Sequence, residues 1–133
     1  MSRCSARNRS NLNPKSKATM SVNCEIKNGV ALVSVTGSLS GAIVESFRSQ
    51  FGAWFQSQPG VKQVVVDLGG VSFLDSLGLG ALIGAFKRVA ERGGEMHLAR
   101  PQPNVKMVLE ITCTNRILRL FGSVEEALRA AGG

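Results

Sequence analysis

The sequence lacks the segments and residue clusters that mark several classes of protein. No apolar run approaches the roughly 20 residues that span a bilayer, and no apolar stretch near the N-terminus resembles a secretory signal. The single histidine is His97, and Cys4, Cys24 and Cys113 show no CxxC spacing, so no metal site or cofactor is expected. An odd number of cysteines without a signal favours reduced thiols. We therefore predict a cytoplasmic protein without membrane insertion.

Acidic residues are absent before Met20, although the whole chain contains nine of them against 16 basic residues. Five basic residues lie in this segment: Arg3, Arg7, Arg9, Lys15 and Lys17. The remaining residues carry a net charge of only +2, so a nucleic-acid groove is not expected there. We predict that residues 1–20 form a disordered basic tail and that residues 21–133 form one domain. Met20 is a second candidate translation start, and a transit peptide is the alternative interpretation of the tail.

Strand and helix patterns alternate from Val22 onward, in the order ββαβαβαβα. Strands are predicted at 22–27, 30–36, 62–68, 95–99 and 116–121, with an Asn28-Gly29 hairpin turn between the first two. Helices are predicted at 42–58, at 76–92, from Pro103 to 111, and after a capping box at Ser123–Glu126. Gly69, Gly70 and Ser72 are predicted to lie in a loop. This order indicates an α/β fold with a mostly parallel central sheet.

The helix at 76–92 is predicted to have two different faces. At about 100° per residue, one side is apolar and forms the predicted core face: Leu79, Leu82, Ile83, Phe86 and Ala90. The opposite side carries small residues, one leucine and one arginine: Leu77, Gly80, Ala81, Gly84 and Arg88. Interior glycines weaken a helix, so this face suits close docking of another protein. The alternative is that the glycines relieve packing within the same domain.

Ser76 lies in the first turn of this helix, directly after Asp75, which is the predicted N-cap. Free backbone N–H groups and the helix dipole make this position favourable for an anion, including a phosphate group on the serine. The alternative is an ordinary serine without a special role.

Enzyme chemistry finds little support in the sequence. There is neither a GxSxG nucleophile elbow nor a Walker-type phosphate loop, and no pattern supports His97 as a general base. A receiver-type phosphate acceptor at Asp67 would need neighbouring acidic residues for Mg²⁺, which the ends of the first two strands do not supply. We therefore expect no catalytic residues.

The stretch DLGGVSFLDSLGLGALIGAFKRV resembles the central motif of STAS-domain anti-sigma-factor antagonists, and the similarity extends over about residues 22–130. The matching positions are Asp67, Leu68, Val71, Phe73, Asp75, Ser76, Gly78, Leu79 and Gly80. The resemblance implies a single STAS-type domain. It also implies binding to an anti-sigma factor that is a serine kinase, inactivation by phosphorylation of Ser76, and reactivation by a PP2C-type phosphatase.

The predicted partner-binding residues combine this resemblance with the outward helix face: Asp75, Leu77, Gly80, Ala81, Gly84 and Arg88. Ser40 and Asp67 are expected to support the site. Two positions depart from the family pattern, because Leu77 stands where Ser or Thr is frequent and Ser40 stands where Asp is frequent. These departures favour the alternative of a non-switching subunit or scaffold, in a stress-signalling assembly or a lipid ABC transporter. Association into a homodimer stays open.

Overall fold

The structure is a computed structural model that describes residues 21–131, so the predicted tail and the last two residues lie outside the described part. Its strands are β1 (Ser21–Lys27), β2 (Val30–Leu39), β3 (Gln63–Leu74), β4 (Glu95–Ala99) and β5 (Arg119–Phe121). Its helices are α1 (Val44–Gln56), α2 (Ser76–Glu91), α3 (Pro103–Ile111) and α4 (Val124–Ala130). The predicted order ββαβαβαβα is confirmed.

The five strands lie side by side in the order in which they occur along the chain. β1 and β2 are antiparallel and all later neighbours are parallel, so the predicted mostly parallel sheet is confirmed. The Asn28-Gly29 turn joins β1 to β2 with both residues at positive φ (54° and 81°), as a tight hairpin of this kind requires.

Alternate residues of the central strands point to opposite faces of the sheet, and each face has its own core. The larger core packs residues such as Val33, Val66 and Leu98 under α1, α2 and α3. The smaller core packs Val65 against Ala127 of α4 on the other face. The site described below lies on the side of the larger core, where three helices leave their outer surfaces free.

Strand β3 is longer than predicted, because Gly69, Gly70 and Ser72 continue the strand and are not in a loop. Gly70 pairs with Thr36 of β2, and pairing continues to Leu74. On the other side, where β4 has already ended, side chains of the following segment replace a strand. Gln102 Nε2 donates to the Gly69 carbonyl (2.9 Å) and Asn104 Nδ2 to the Ser72 carbonyl (2.8 Å).

Strand β5 is shorter than predicted, because residues before Arg119 form a 3-10 turn at Thr114–Arg116. Cys113 precedes this turn in a left-handed conformation (φ 61°). The backbone N–H groups of Ile117 and Leu118 both donate to the Thr114 carbonyl at 2.9 Å. These hydrogen bonds fold the segment away from the extended conformation that a strand would need.

His97 lies on β4, within the predicted strand, and is almost fully buried on the face that α4 covers. Its ring packs edge-on against Phe121 with 5.3 Å between centroids. Neither ring nitrogen has a hydrogen-bond partner, and Glu95 Oε1 lies 3.6 Å from Nε2. Burial lowers the pKa of His97, which favours the neutral ring at neutral pH.

Candidate functional site

Ser76 is the first residue of α2, and its side chain is exposed. Asp75 is the N-cap, as predicted, and its Oδ1 accepts a hydrogen bond from Gly78 N at 2.9 Å. Its other oxygen, Oδ2, accepts from Gly41 N at 3.0 Å. Asp75 therefore holds the start of α2 against the loop between β2 and α1. The hydrogen bond from Gly78, with a smaller contribution from Gly41, lowers the pKa of Asp75 and keeps this carboxylate charged.

The two predicted supporting residues lie in different places. The Ser40 hydroxyl is 2.9 Å from the Ser38 hydroxyl. Ser40 directly precedes Gly41, whose N–H donates to Asp75, so Ser40 is next to the start of α2. Asp67 is separated from the start of α2 by seven residues of β3, roughly 20 Å of extended chain.

Asp67 has a different role from the predicted support of Ser76. Its oxygens accept two hydrogen bonds from Arg100, both 2.9 Å long, and Oδ1 also accepts one from Gly69 N at 2.9 Å. Arg100 itself has a left-handed backbone (φ 55°). This cluster fixes the turn after β4 against β3, so Asp67 stabilises the fold far from the candidate site.

The orientation of α2 differs from the predicted one by about one residue, or roughly 100° of rotation. The buried residues are Gly78, Ala81, Leu82, Ala85 and Val89. Leu82 is buried as predicted, whereas Leu79, Ile83 and Phe86 are only half-buried and Ala90 is exposed.

Ala81 is therefore wrongly predicted as a partner-binding residue, because only 2% of it is exposed. The physical reason is the small size of the inward residues. A Cβ built on Gly78 would overlap the Leu39 carbonyl oxygen, so α2 approaches the end of β2 closely. Small residues thus face the sheet, and the large apolar residues pack at the sides of the helix.

The remaining predicted docking residues are accessible to different extents. Leu77 is 56% exposed, Gly80 and Arg88 are exposed, and Gly84 is half-buried in a cleft between α1 and α2. The nearest atoms to a Cβ built on Gly80 or Gly84 would be the ends of the Arg48 side chain, at 3.9 and 3.5 Å. Packing inside the domain therefore does not require glycine at either position.

Large apolar side chains are also exposed on neighbouring elements, and the sequence interpretation assigned no docking role to them. Phe73 is 51% exposed at the end of β3, three residues before Ser76. On α3, Met107 and Ile111 are exposed and share one face with Asn104, whose side chain bonds to the Ser72 carbonyl. The i, i+4 spacing of Met107 and Ile111, opposite the buried Val105 and Leu109, was a usable signal.

Phe73 and Leu77 lie within three residues of Ser76 along the chain, and both are about half exposed. We call these two residues the apolar rim. The described residues 21–131 contain no group of His, Cys, Asp and Glu side chains that would suit a metal ion, and no helix among them is long and apolar enough to cross a bilayer. The surface beside Ser76 combines exposed apolar side chains with an exposed serine.

The family model of the STAS domain matches residues 21–127, most of the chain. The chain belongs to the STAS domain family. It is 27% identical over 109 residues to the anti-sigma F factor antagonist of Paenibacillus polymyxa, and the alignment covers 82% of this chain and 92% of that protein.

Solved structures share the fold. An anti-sigma factor antagonist from Mycobacterium paratuberculosis has a TM-score of 0.79 at 22% identity, with 89% of this chain and 98% of that chain covered. The antagonist SpoIIAA in its unphosphorylated form has a TM-score of 0.69 at 24% identity, with 85% of this chain and 98% of that chain covered. The phosphorylated form of Bacillus SpoIIAA has a TM-score of 0.64 at 21% identity, with 83% of this chain and 98% of that chain covered.

Proposed function

We propose that this chain is an anti-sigma-factor antagonist, a cytoplasmic binding protein and not an enzyme. It binds an anti-sigma factor that is also a serine kinase and thereby releases a sigma factor. The observation that carries this proposal is the exposed Ser76 hydroxyl at the start of α2, bordered by Phe73 and Leu77. The names of similar proteins, such as the Paenibacillus antagonist, support the same function.

The proposed control is phosphorylation of Ser76 by the bound kinase, reversed by a PP2C-type phosphatase. A phosphate would add about −1.5 to −2 charges beside the carboxylate of Asp75. That carboxylate already occupies Gly78 N and Gly41 N, so the helix start keeps its hydrogen bonds whether or not Ser76 is modified. The phosphate therefore acts through charge and bulk at the apolar rim, where it weakens docking without unfolding α2.

The test compares the unmodified and phosphorylated chain. The tagged full chain is used to capture the kinase from native lysate, the phosphosite is mapped by mass spectrometry, and both forms are titrated against the purified kinase. We expect phosphate on Ser76 and an affinity at least about tenfold lower for the phosphorylated form, a loss of about 1.4 kcal/mol. Ser76→Ala keeps binding but accepts no phosphate, and Ser72→Ala, which removes another exposed serine nearby, changes neither property.

Three results would contradict this proposal in different ways. Equal affinity of the two forms excludes the switch, and phosphate found only on Ser72 or Ser40 excludes the assigned residue. Capture of no anti-sigma factor at all excludes the function itself.

A second candidate is a non-switching subunit or scaffold of a stress-signalling assembly or a lipid ABC transporter. Two departures from the family pattern favour it. Leu77 follows the serine, where Ser or Thr is frequent, and Ser40, whose hydroxyl contacts Ser38, stands where Asp is frequent. The same capture experiment separates the two candidates, because transporter or scaffold subunits in place of a kinase would support the second.

A further inference from the structure

Three arginines lie where α1 and α2 pack together, and one of them, Arg92, donates hydrogen bonds to backbone carbonyls at the end of α1. Arg92, just after α2, donates to the carbonyl oxygens of Gln58 (2.8 Å), Val61 (2.9 Å) and Phe55 (3.1 Å). Its guanidinium also lies 3.6 Å from the centroid of the Phe55 ring. Arg92 thus caps the end of α1 and has little capacity left for a ligand.

Arg48 of α1 and Arg88 of α2 are arranged differently, since each reaches across to a glycine of the other helix. A Cβ built on Gly52 of α1 would be 3.5 Å from Arg88 Cζ. A Cβ built on Gly84 of α2 would be 3.5 Å from Arg48 Nη1. Both arginines line the same cleft, and the rest of its lining consists of apolar or small residues: Phe47, Phe51, Ala81, Gly84 and Ala85.

These two guanidinium groups have almost no acidic partner. Among residues 21–131, the one ion pair that involves either of them joins Arg48 Nε to Glu45 at 3.9 Å, which is too long for a hydrogen bond. Glu45 is 81% exposed, so this contact contributes little. Two like charges therefore border one cleft, and within residues 21–131 neither guanidinium donates a side-chain hydrogen bond. A carboxylate between them would stabilise this arrangement.

We propose that Arg48 and Arg88 form a clasp for a carboxylate side chain, presented by an acidic segment of the protein partner. The charge of the cleft selects a carboxylate, and its apolar lining accepts the methylene groups of Asp or Glu. The proposal rests on the proposed function for the identity of the partner and extends it by adding Arg48 and a chemical class of ligand. The clasp lies on the α1 side of α2, beside the outward residues Gly80 and Gly84.

Succinate is the probe that tests the clasp without a partner. The side-chain Nε–H signals of arginine are followed by NMR in the full chain while succinate replaces chloride at constant ionic strength. We expect saturable shifts for Arg48 and Arg88 and none for Arg92, with affinity about tenfold weaker in Arg48→Gln or Arg88→Gln. Arg92→Gln is the matched control, which lowers the thermal midpoint and leaves succinate binding unchanged.

Several outcomes would overturn the clasp. Equal, non-saturating shifts of all exposed arginines would show general ion screening, and tighter binding of inorganic phosphate than of succinate would exclude a carboxylate site. Single variants that bind succinate like the unmodified chain would show that the two arginines do not act together.

The purified anti-sigma factor provides the second arm of the test. Arg48→Glu with Arg88→Glu should weaken its binding at least about tenfold and reduce the dependence of affinity on salt. Unchanged affinity in this double variant would reject the clasp while leaving the proposed function intact. If no anti-sigma factor binds, the proposed function fails, and the succinate titration still decides whether the clasp exists.

Discussion

The inner and outer faces of α2 both carry small residues, but for different reasons. On the inner face, a Cβ on Gly78 would meet the Leu39 carbonyl, a backbone atom that cannot move aside. On the outer face, the neighbours of Gly80 and Gly84 are the ends of the flexible Arg48 side chain. The fold thus requires glycine at position 78 and tolerates a larger residue at 80 and 84. Small size on the outer face is therefore a feature to explain by function.

The largest expected difference between the faces is in leucine truncation. Leu82→Ala should lower the free energy of unfolding by about 2–5 kcal/mol, because Leu82 is fully buried in the larger core. Leu77→Ala should change it by no more than about 0.5 kcal/mol, since Leu77 is mostly exposed. Urea unfolding measures both. Equal losses would mean that the orientation of α2 is wrong.

The next difference concerns the glycines of the first two turns. Gly78→Ala should cost roughly 3 kcal/mol, the upper end of what overpacking usually costs, because Leu39 O blocks the new methyl group and Leu74 Cδ1 lies 2.9 Å from it. The matched variant Gly80→Ala should be neutral or stabilising by up to about 1 kcal/mol, because the nearest atom to its methyl group would be Arg48 Nη2 at 3.9 Å. A stable Gly78→Ala protein would show that α2 is not held closely against β2.

Much of this fold could be predicted from the sequence, where local patterns decide the structure. Asp75 and Ser123 cap helices as predicted because capping depends on residues within one turn. The Asn28-Gly29 turn is equally local.

The parts that were not predicted depend on distant contacts. Gly69 and Gly70 indicated a loop, but pairing with β2 and hydrogen bonds from Gln102 and Asn104 hold them in β3. The orientation of α2 was assigned from its largest apolar residues, whereas the close approach at Gly78 turns smaller ones inward. The cleft with Arg48 could not be predicted, because it needs the relative position of two helices.

Acid should weaken the attachment at the start of α2. The lowered pKa of Asp75 means that its stabilising contribution is present above about pH 4 and is lost as pH falls through the folded-state pKa. Asp75→Asn keeps an N-cap acceptor without the charge, so the difference in unfolding free energy between the two proteins should shrink below pH 4.

Comparing the Asp75→Asn variant with the unmodified protein also cancels the effect of acid on His97, which is the same in both. The pKa of His97 is lowered by burial, so its contribution falls in both proteins as pH drops below about 6.5. A difference between the two proteins that stays constant down to pH 2 would contradict the role of the Asp75 charge.

The smallest expected effect is the sharpest test of the outer face. Gly84→Ala should raise the free energy of unfolding by up to about 1 kcal/mol, because alanine favours a helix interior and its methyl group would meet only Arg48 Nη1, at an ordinary contact distance of 3.5 Å. If the outer face is kept small for docking, the same variant should bind the anti-sigma factor more weakly although it is more stable. Urea unfolding and calorimetric titration measure the two quantities on one preparation, with Ala90→Gly, at an exposed position of the same helix, as the control that loses stability without losing affinity. A Gly84→Ala protein that is both more stable and equally tight in binding would show that the docking surface does not need glycine there.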